Sequence, residues 1–234
     1  MSGGTDIPRG APLPPGDFAK RWLPVQDVAG GELLHRIHRL DLGPVFFGPG
    51  AGNPPMGRWD APAGEFGVCY LALEPYVAFA ETFLRVPGIV SLGEDDLRRR
   101  GLAQVRVMRT LQLAEFHGAG LARVGATAAV CSGSHDVSRA WSAAIHAHRR
   151  RVDGILYRAR HDDDGFAVAL FDRAAESIRI ERSGSLLDEG IVETTGAILD
   201  RYGLALDSAA GLGEPRSRRS RSQGGEPFSA ARIT

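Results

Sequence analysis

No charge of one sign dominates this chain of 234 residues: 28 Lys and Arg face 28 Asp and Glu. A balanced chain has no global field to draw it to nucleic acid or to an anionic membrane, so neither is an expected partner. No apolar run approaches 18 residues, and no membrane span is expected. The start, MSGGTDIPRGAPLPPGD, lacks the basic and apolar stretches of a secretory signal. There are two cysteines, Cys69 and Cys131, set in apolar surroundings without C-x-x-C spacing. They read as buried free thiols in a reducing cytoplasm, the expected compartment. No G-x-S-x-G is present, and no Gly-Lys-Ser/Thr follows the glycine-rich stretch Gly48–Gly57, which excludes a nucleophile elbow and a Walker loop. His35-x-x-His38 would split its rings between two strand faces, so no metal is expected.

What is present is one domain's worth of core. At 43% hydrophobic, 234 residues can bury a sizeable interior. Residues 1–16 are rich in Pro and Gly and read as a disordered arm, and residues 211–234, rich in Arg, Ser and Gly, as a disordered basic tail. The folded unit is expected over 17–210. Within it, ELLHRIHR (Glu32–Arg39) reads as a strand, residues 40–62 as loop, and Gly67–Leu73 as a strand feeding a helix that begins at Pro75 and runs to about Arg85. Gln104–Leu113 reads as one strand. Val137–Arg149 reads as a helix capped by Ser134 or Asp136. Gly154–Arg158, Phe166–Phe171 and Ser177–Glu181 read as three short strands, and Leu186–Tyr202 as a last helix stopped by Gly203. Strands and helices mix without strict alternation, which predicts an α+β fold: one compact domain with short mixed or antiparallel sheets flanked by helices.

Glu81 is the first candidate for chemistry. Val77, Ala80, Glu81 and Leu84 follow the spacing of a buried stripe, so a carboxylate lies on or beside an apolar helix face. It either snorkels at the margin of that stripe or is held in a partly dry cleft. Arg36 is the second. Neither face of its strand is cleanly apolar, and a guanidinium there either lies on an exposed edge or lines something polar, where it can fork onto phosphate. Arg58 and Trp59 fall in a Gly- and Pro-rich loop; they offer a cation and a flat face to a nucleotide, or a Trp to the core.

In order along the chain, LLHRIHR, MGRWDAP, VCYLALEPYVAFAETF and SRAWSAAIHAHRRRVDGILYRARHDDDGFAVALFDR resemble the RES domain family, over about Glu32 to Arg173. That family, named for an Arg, a Glu and a Ser, supplies toxins of bacterial toxin–antitoxin pairs. The resemblance implies a fold like that of ADP-ribosyltransferase toxins, and NAD as the substrate that is consumed. It places the family Arg on Arg36, the Tyr on Tyr70, the Glu on Glu81 and the GRW arginine on Arg58. The family Ser falls at Ala159, a departure that removes a hydroxyl near the ribose or the carboxylate. Implied roles are catalysis by Glu81, Tyr70 and Arg36, and NAD binding by Arg36, Arg58, Tyr70 and the Ala159 position. An antitoxin with a helix-turn-helix domain is the implied partner, and a homodimer is the default oligomer. The alternative is a RES-like module, impaired at Ala159, that binds nucleotide or a partner without turnover.

Overall fold

The computed structural model describes residues 10–207. Ten strands and six α-helices are found among them. In chain order they are β1 (Val25–Val28), β2 (Leu33–Arg39), β3 (Val68–Ala72), α1 (Pro75–Phe83), β4 (Ser91–Gly93), α2 (Glu94–Arg98), β5 (Arg100–Val107) and β6 (Leu111–Phe116). There follow α3 (Gly118–Val124), α4 (Ala129–Ser132), α5 (His135–His146), β7 (Gly154–Arg158), β8 (Phe166–Phe171), β9 (Ile178–Ser185), α6 (Val192–Tyr202) and β10 (Ala205–Asp207). The α+β expectation is met.

Eight strands form one sheet in the order β1-β6-β7-β8-β3-β2-β5-β9, and β4 with β10 form a small parallel pair. Within the large sheet only β6 and β7 run parallel. One face carries the larger core, in which Trp59, Phe79, Phe116, Trp141 and Phe171 are shielded by helices. The other face buries Leu34, Cys69, Leu71, Val105, Leu113, Val168 and Leu170, drawn from β2, β3, β5, β6 and β8, so this side of the curled sheet packs largely on itself. Alternation along β3 divides its side chains cleanly. Val68, Tyr70 and Ala72 face the helices, whereas Cys69 and Leu71 face the second core.

The centre of the sheet is where it opens. β3 pairs with β8 from Val68 to Ala72, and β2 pairs with β5 from Leu33 to Arg39. Between β2 and β3, however, only His35 and Ala72 are in register. The strands part beyond that point. Helix α1 lies at this opening, begun by Pro75 at its first turn and held by the buried side chains of Val77, Ala78, Phe79 and Ala80.

Several boundaries differ from those read from sequence. The strand expected over Gln104–Leu113 is two strands. Arg109 leaves the ladder to form a bidentate pair with Asp153, at 2.7 and 2.9 Å, and β6 turns away to lie between β1 and β7. The last helix begins at Val192, because Asp188 accepts from the Ser185 N–H at 2.6 Å and makes a turn of residues 185–188. Its end is as expected, with Gly203 left-handed at φ 62°. Ser134, not Asp136, caps α5, its Oγ accepting from the Asp136 N–H. Of the arm expected over 1–16, residues 1–9 lie outside the described residues. Farther along, the Pro12 carbonyl accepts from Trp141 Nε1 at 2.7 Å and Ala11 packs on the core. The tail expected over 211–234 also lies outside the described residues.

Candidate active site

Two lobes of one cleft meet at the sheet opening, and Tyr70, Glu81, Arg85 and Tyr157 belong to both. The first lobe, of about 290 Å³, is completed by Arg58, His135, Arg160 and His161 among others. The second, of about 200 Å³, runs between β2 and β3 and adds His35, Arg36 and Thr82. Glu81 therefore stands in a cleft wall rather than at a solvated helix margin. It is partly buried, and its Oε1 accepts from the backbone N–H groups of Arg160 at 2.6 Å and His161 at 3.0 Å. Two N–H groups fix the carboxylate against the segment after β7. Oε2 has no protein partner among the described residues, and neither has the side chain a Lys or Arg within 4.0 Å.

Tyr70 is pinned just as firmly. Its hydroxyl donates to Asp60 Oδ1 at 2.7 Å and accepts from the Trp59 N–H at 2.8 Å. Burial, with the adjacent Asp60 charge, pushes this phenol well above its ordinary range. The hydroxyl is thus committed to the protein, and only the ring is presented to the cleft. Gly57 explains part of the fit, since a Cβ there would sit 2.2 Å from the Tyr70 hydroxyl oxygen. Asp60 in turn accepts at Oδ2 from the Met56 and Gly57 N–H groups, at 2.8 and 2.5 Å. The GRWD turn is one rigid unit built around a buried carboxylate.

Arg58 is 9% exposed, and its Nη1 donates to the Gly133 carbonyl at 2.8 Å and to Ser138 Oγ at 3.1 Å. Burial, and then the neighbouring Arg160, hold its pKa below the ordinary value. Arg58, Arg85 and Arg160 have no carboxylate within 4.0 Å among the described residues, and Glu81 is the one acidic residue lining their lobe. His135 and His161 are held below their ordinary pKa by burial, so they add little positive charge at neutral pH. Three guanidinium groups against one carboxylate give this lobe an excess of positive charge.

The two arginines picked from sequence do not meet. Arg36 has the strand parity of Leu34, and its Nη1 donates to Cys69 Sγ at 3.0 Å and to the Phe46 carbonyl at 3.4 Å. It lines the second lobe, with Arg58 in the first and the Glu81–Tyr70 wall between them. Trp59 is fully buried, its ring centroid 5.5 Å from that of Phe116 and 5.2 Å from that of Tyr157. It is core, and a stacking role on a nucleotide is excluded. Ala159, 3% exposed, does not line either lobe; it faces an adjoining cavity. The two histidines of the His-x-x-His pair reach different partners. His35 Nδ1 meets the Leu73 carbonyl, and His38 Nε2 meets Ser183 Oγ.

Asp60, Arg85, Tyr157, Arg160 and His161 were not singled out as site residues from sequence. Asp60 had a visible signal, an acidic residue two positions after Arg58 in the Gly-, Ala- and Pro-rich GRWDAPAG. Cys131 lines the first lobe too, but burial pushes its thiol up to about 12, which leaves it neutral and unreactive. Iodoacetamide at pH 8 is therefore expected to leave Cys131 unmodified in the folded protein and to label it fully after denaturation. Mass spectrometry of the two samples checks this, and prompt labelling of the native chain would contradict it.

A family model, a curated relative and a solved structure match the chain. The RES domain model matches residues 33–189. The probable toxin y4kH of Sinorhizobium fredii is 32% identical over 120 residues, which are 51% of this chain and 92% of that protein. A chain of the crystal structure of the M. tuberculosis MbcT–MbcA toxin–antitoxin complex superposes with a TM-score of 0.52 at 16% identity, over 73% of this chain and 92% of that one, a likeness of fold. With two thirds of its length matched, and with that match covering every strand and helix that builds the cleft, the chain belongs to the RES domain family.

Proposed function

We propose that this chain is a toxin-type enzyme that consumes NAD by breaking the bond between nicotinamide and ribose. The observation that carries the reading is Glu81: a single carboxylate, fixed by two backbone N–H groups with Oε2 free of protein partners, between an aromatic ring and an arginine-rich lobe. Breaking the C1′–N bond sends the bonding pair to the nicotinamide, which leaves neutral and needs no proton. The ribosyl group passes through an oxocarbenium-like state, as in glycoside cleavage. A carboxylate beside it stabilises the positive charge, so one acidic group suffices. Water, inorganic phosphate or a protein side chain then supplies the electron pair that captures C1′, losing a proton as it does so.

Substrate placement follows charge. The pyrophosphate suits the lobe of Arg58, Arg85 and Arg160. The nicotinamide riboside suits the second lobe, where the Tyr70 ring offers a stacking face and Arg36 a hydrogen-bonding edge. At Ala159, where the family Ser would fall, no hydroxyl is present, but Glu81 keeps two donors in the N–H groups of Arg160 and His161.

The toxin character of the relatives, one of them seen in complex with its antitoxin, supports a small antitoxin partner, with a helix-turn-helix domain as our expectation. The test is incubation of the purified chain with NAD, in water and in phosphate buffer, with the products identified by mass spectrometry. Release of nicotinamide is expected. Intact NAD after prolonged incubation with folded protein would reject the reading.

Arg36 has its own test. Arg36→Ala is expected to raise the Kd for NAD about tenfold or more, one charge-assisted interaction being worth ~1.5–3 kcal/mol. Arg36→Lys is expected to recover only part, because an ammonium cannot span Cys69, Phe46 and a ligand with one planar group. Titration calorimetry reads both. Equal affinity in all three proteins would leave Arg36 as a structural residue of β2, held by Cys69 and Phe46, with no ligand.

A further inference from the structure

Beyond the first lobe lies a third compartment, of about 590 Å³, which no role described so far uses. It is not remote from the site. Cys131 and Arg160 line both it and the Glu81 lobe, so the wall between them is one residue thick. Arg160 is the same residue whose backbone N–H holds Glu81 at 2.6 Å. Its floor is apolar, made by Phe116, Leu121 and the buried Ala159, and its rim is polar, with Arg158, Asp163 and Asp164.

The two compartments differ in charge. The Glu81 lobe has a surplus of cations, with Arg58, Arg85 and Arg160 against Glu81. In the third compartment Arg158 and Arg160 are matched by Asp163 and Asp164. A balanced polar rim over an apolar floor does not select an anion. It selects a flat, neutral, amphipathic group with polar atoms at its edge. Arg158 is also rigid, its Nη1 donating to the Asp163 carbonyl at 2.6 Å and its guanidinium lying 4.6 Å from the centre of the Phe166 ring. It presents a fixed planar cation beside the floor, a surface that suits a purine face.

We infer that this compartment binds the adenosine half of the dinucleotide, with the pyrophosphate crossing at Arg160. The inference rests on the reading of NAD as substrate, and it extends that reading. Three compartments lie in sequence: the Arg36 lobe, the arginine-rich lobe and the apolar one. That order is the order of nicotinamide riboside, pyrophosphate and adenosine. It makes Arg160 the hinge of recognition, holding the catalytic carboxylate through its backbone and standing at the phosphate crossing with its side chain.

The first test needs no variant. Photolysis of the wild-type chain with 8-azido-AMP, followed by peptide mapping, is expected to label residues 116–132 or 158–166. Labelling confined to other peptides, or no saturable labelling, would overturn the inference. The second test fills the compartment with Ala128→Trp and, separately, Ser132→Trp, both at exposed positions on its border, with folding checked by thermal melting. The KM for NAD is expected to rise at least tenfold, with turnover of nicotinamide mononucleotide, which lacks the adenylate, within twofold of wild type. Unchanged NAD kinetics in both folded variants, or equal losses on both substrates, would overturn it. Failure of the NAD reading is separable: a wild-type chain that turns over neither substrate yet is labelled by 8-azido-AMP at these peptides keeps the adenosine site without the proposed reaction.

Discussion

Replacing Glu81 by Gln is expected to slow NAD consumption more than a hundredfold while the melting temperature stays within about 2 °C of wild type. The geometry sets these two expectations apart. Oε1 is the atom that accepts from the Arg160 and His161 N–H groups, and a glutamine carbonyl oxygen can keep both bonds. The loop after β7 should therefore stay where it is. What is lost is the negative charge opposite a developing ribosyl cation, in a lobe that otherwise holds three guanidinium groups. Removing ~3 kcal/mol of transition-state stabilisation slows a reaction by a little over two orders of magnitude. Glu81→Ala is the contrasting variant, since it removes charge and acceptor together and should also loosen residues 159–161. Nicotinamide release at saturating NAD, together with calorimetric melting of each variant, separates charge from scaffolding. Wild-type turnover in the folded Gln variant would remove Glu81 from the chemistry.

How much of this was legible in the sequence depended on whether the cause was local. The β2 strand, the start of α1 at Pro75 and its stop near Arg85, and the Gly203 stop are decided within a few residues, and they were read, while the cap of α5 was narrowed to Ser134 or Asp136. β1 was not. Val25–Val28 has no alternation of its own and is a strand because β6 lies beside it. The break between β5 and β6 was hidden for the same reason, because Asp153, more than forty residues away, draws Arg109 out of the ladder.

The site divides along the same line. Glu81, Arg36 and Arg58 stood out as residue types in unusual settings, Tyr70 came from the family resemblance, and all four line the cleft. Which lobe each faces depends on where β2 and β3 part, and no local pattern encodes that. The clamp on Glu81 was illegible in principle, since backbone N–H groups leave no trace in side-chain identity. Trp59 had two readings from sequence that only Phe116 and Tyr157 could decide.

Asp60 carries the other large expected effect. Its side chain is 2% exposed and receives three hydrogen bonds, from the Tyr70 hydroxyl and from the Met56 and Gly57 N–H groups, with no Lys or Arg within 4.0 Å among the described residues. Asp60→Ala leaves all three donors without this acceptor in a buried place. Each orphaned donor costs ~1–3 kcal/mol, although partial relaxation and water entry keep the total below the sum. A loss of about 3 kcal/mol lowers the melting temperature of a domain this size by roughly 6–12 °C. Asp60→Asn should fall between. Its carbonyl can serve the two backbone N–H groups, but its amide then donates toward a phenol that has lost its acceptor, and Tyr70 must reorient. The Asn variant is thus expected to keep most of the stability yet raise the KM for NAD about tenfold, the change of ~1.4 kcal/mol that a displaced stacking ring would bring. Asp60→Asn made in a Tyr70→Phe background should cost much less in KM, because the hydroxyl that Asp60 holds is gone. Melting curves and NAD kinetics for the single and double variants decide the matter. If Asp60→Ala melts within 2 °C of wild type, or the Asn and Phe effects simply add, Asp60 does not hold Tyr70 in place for the substrate.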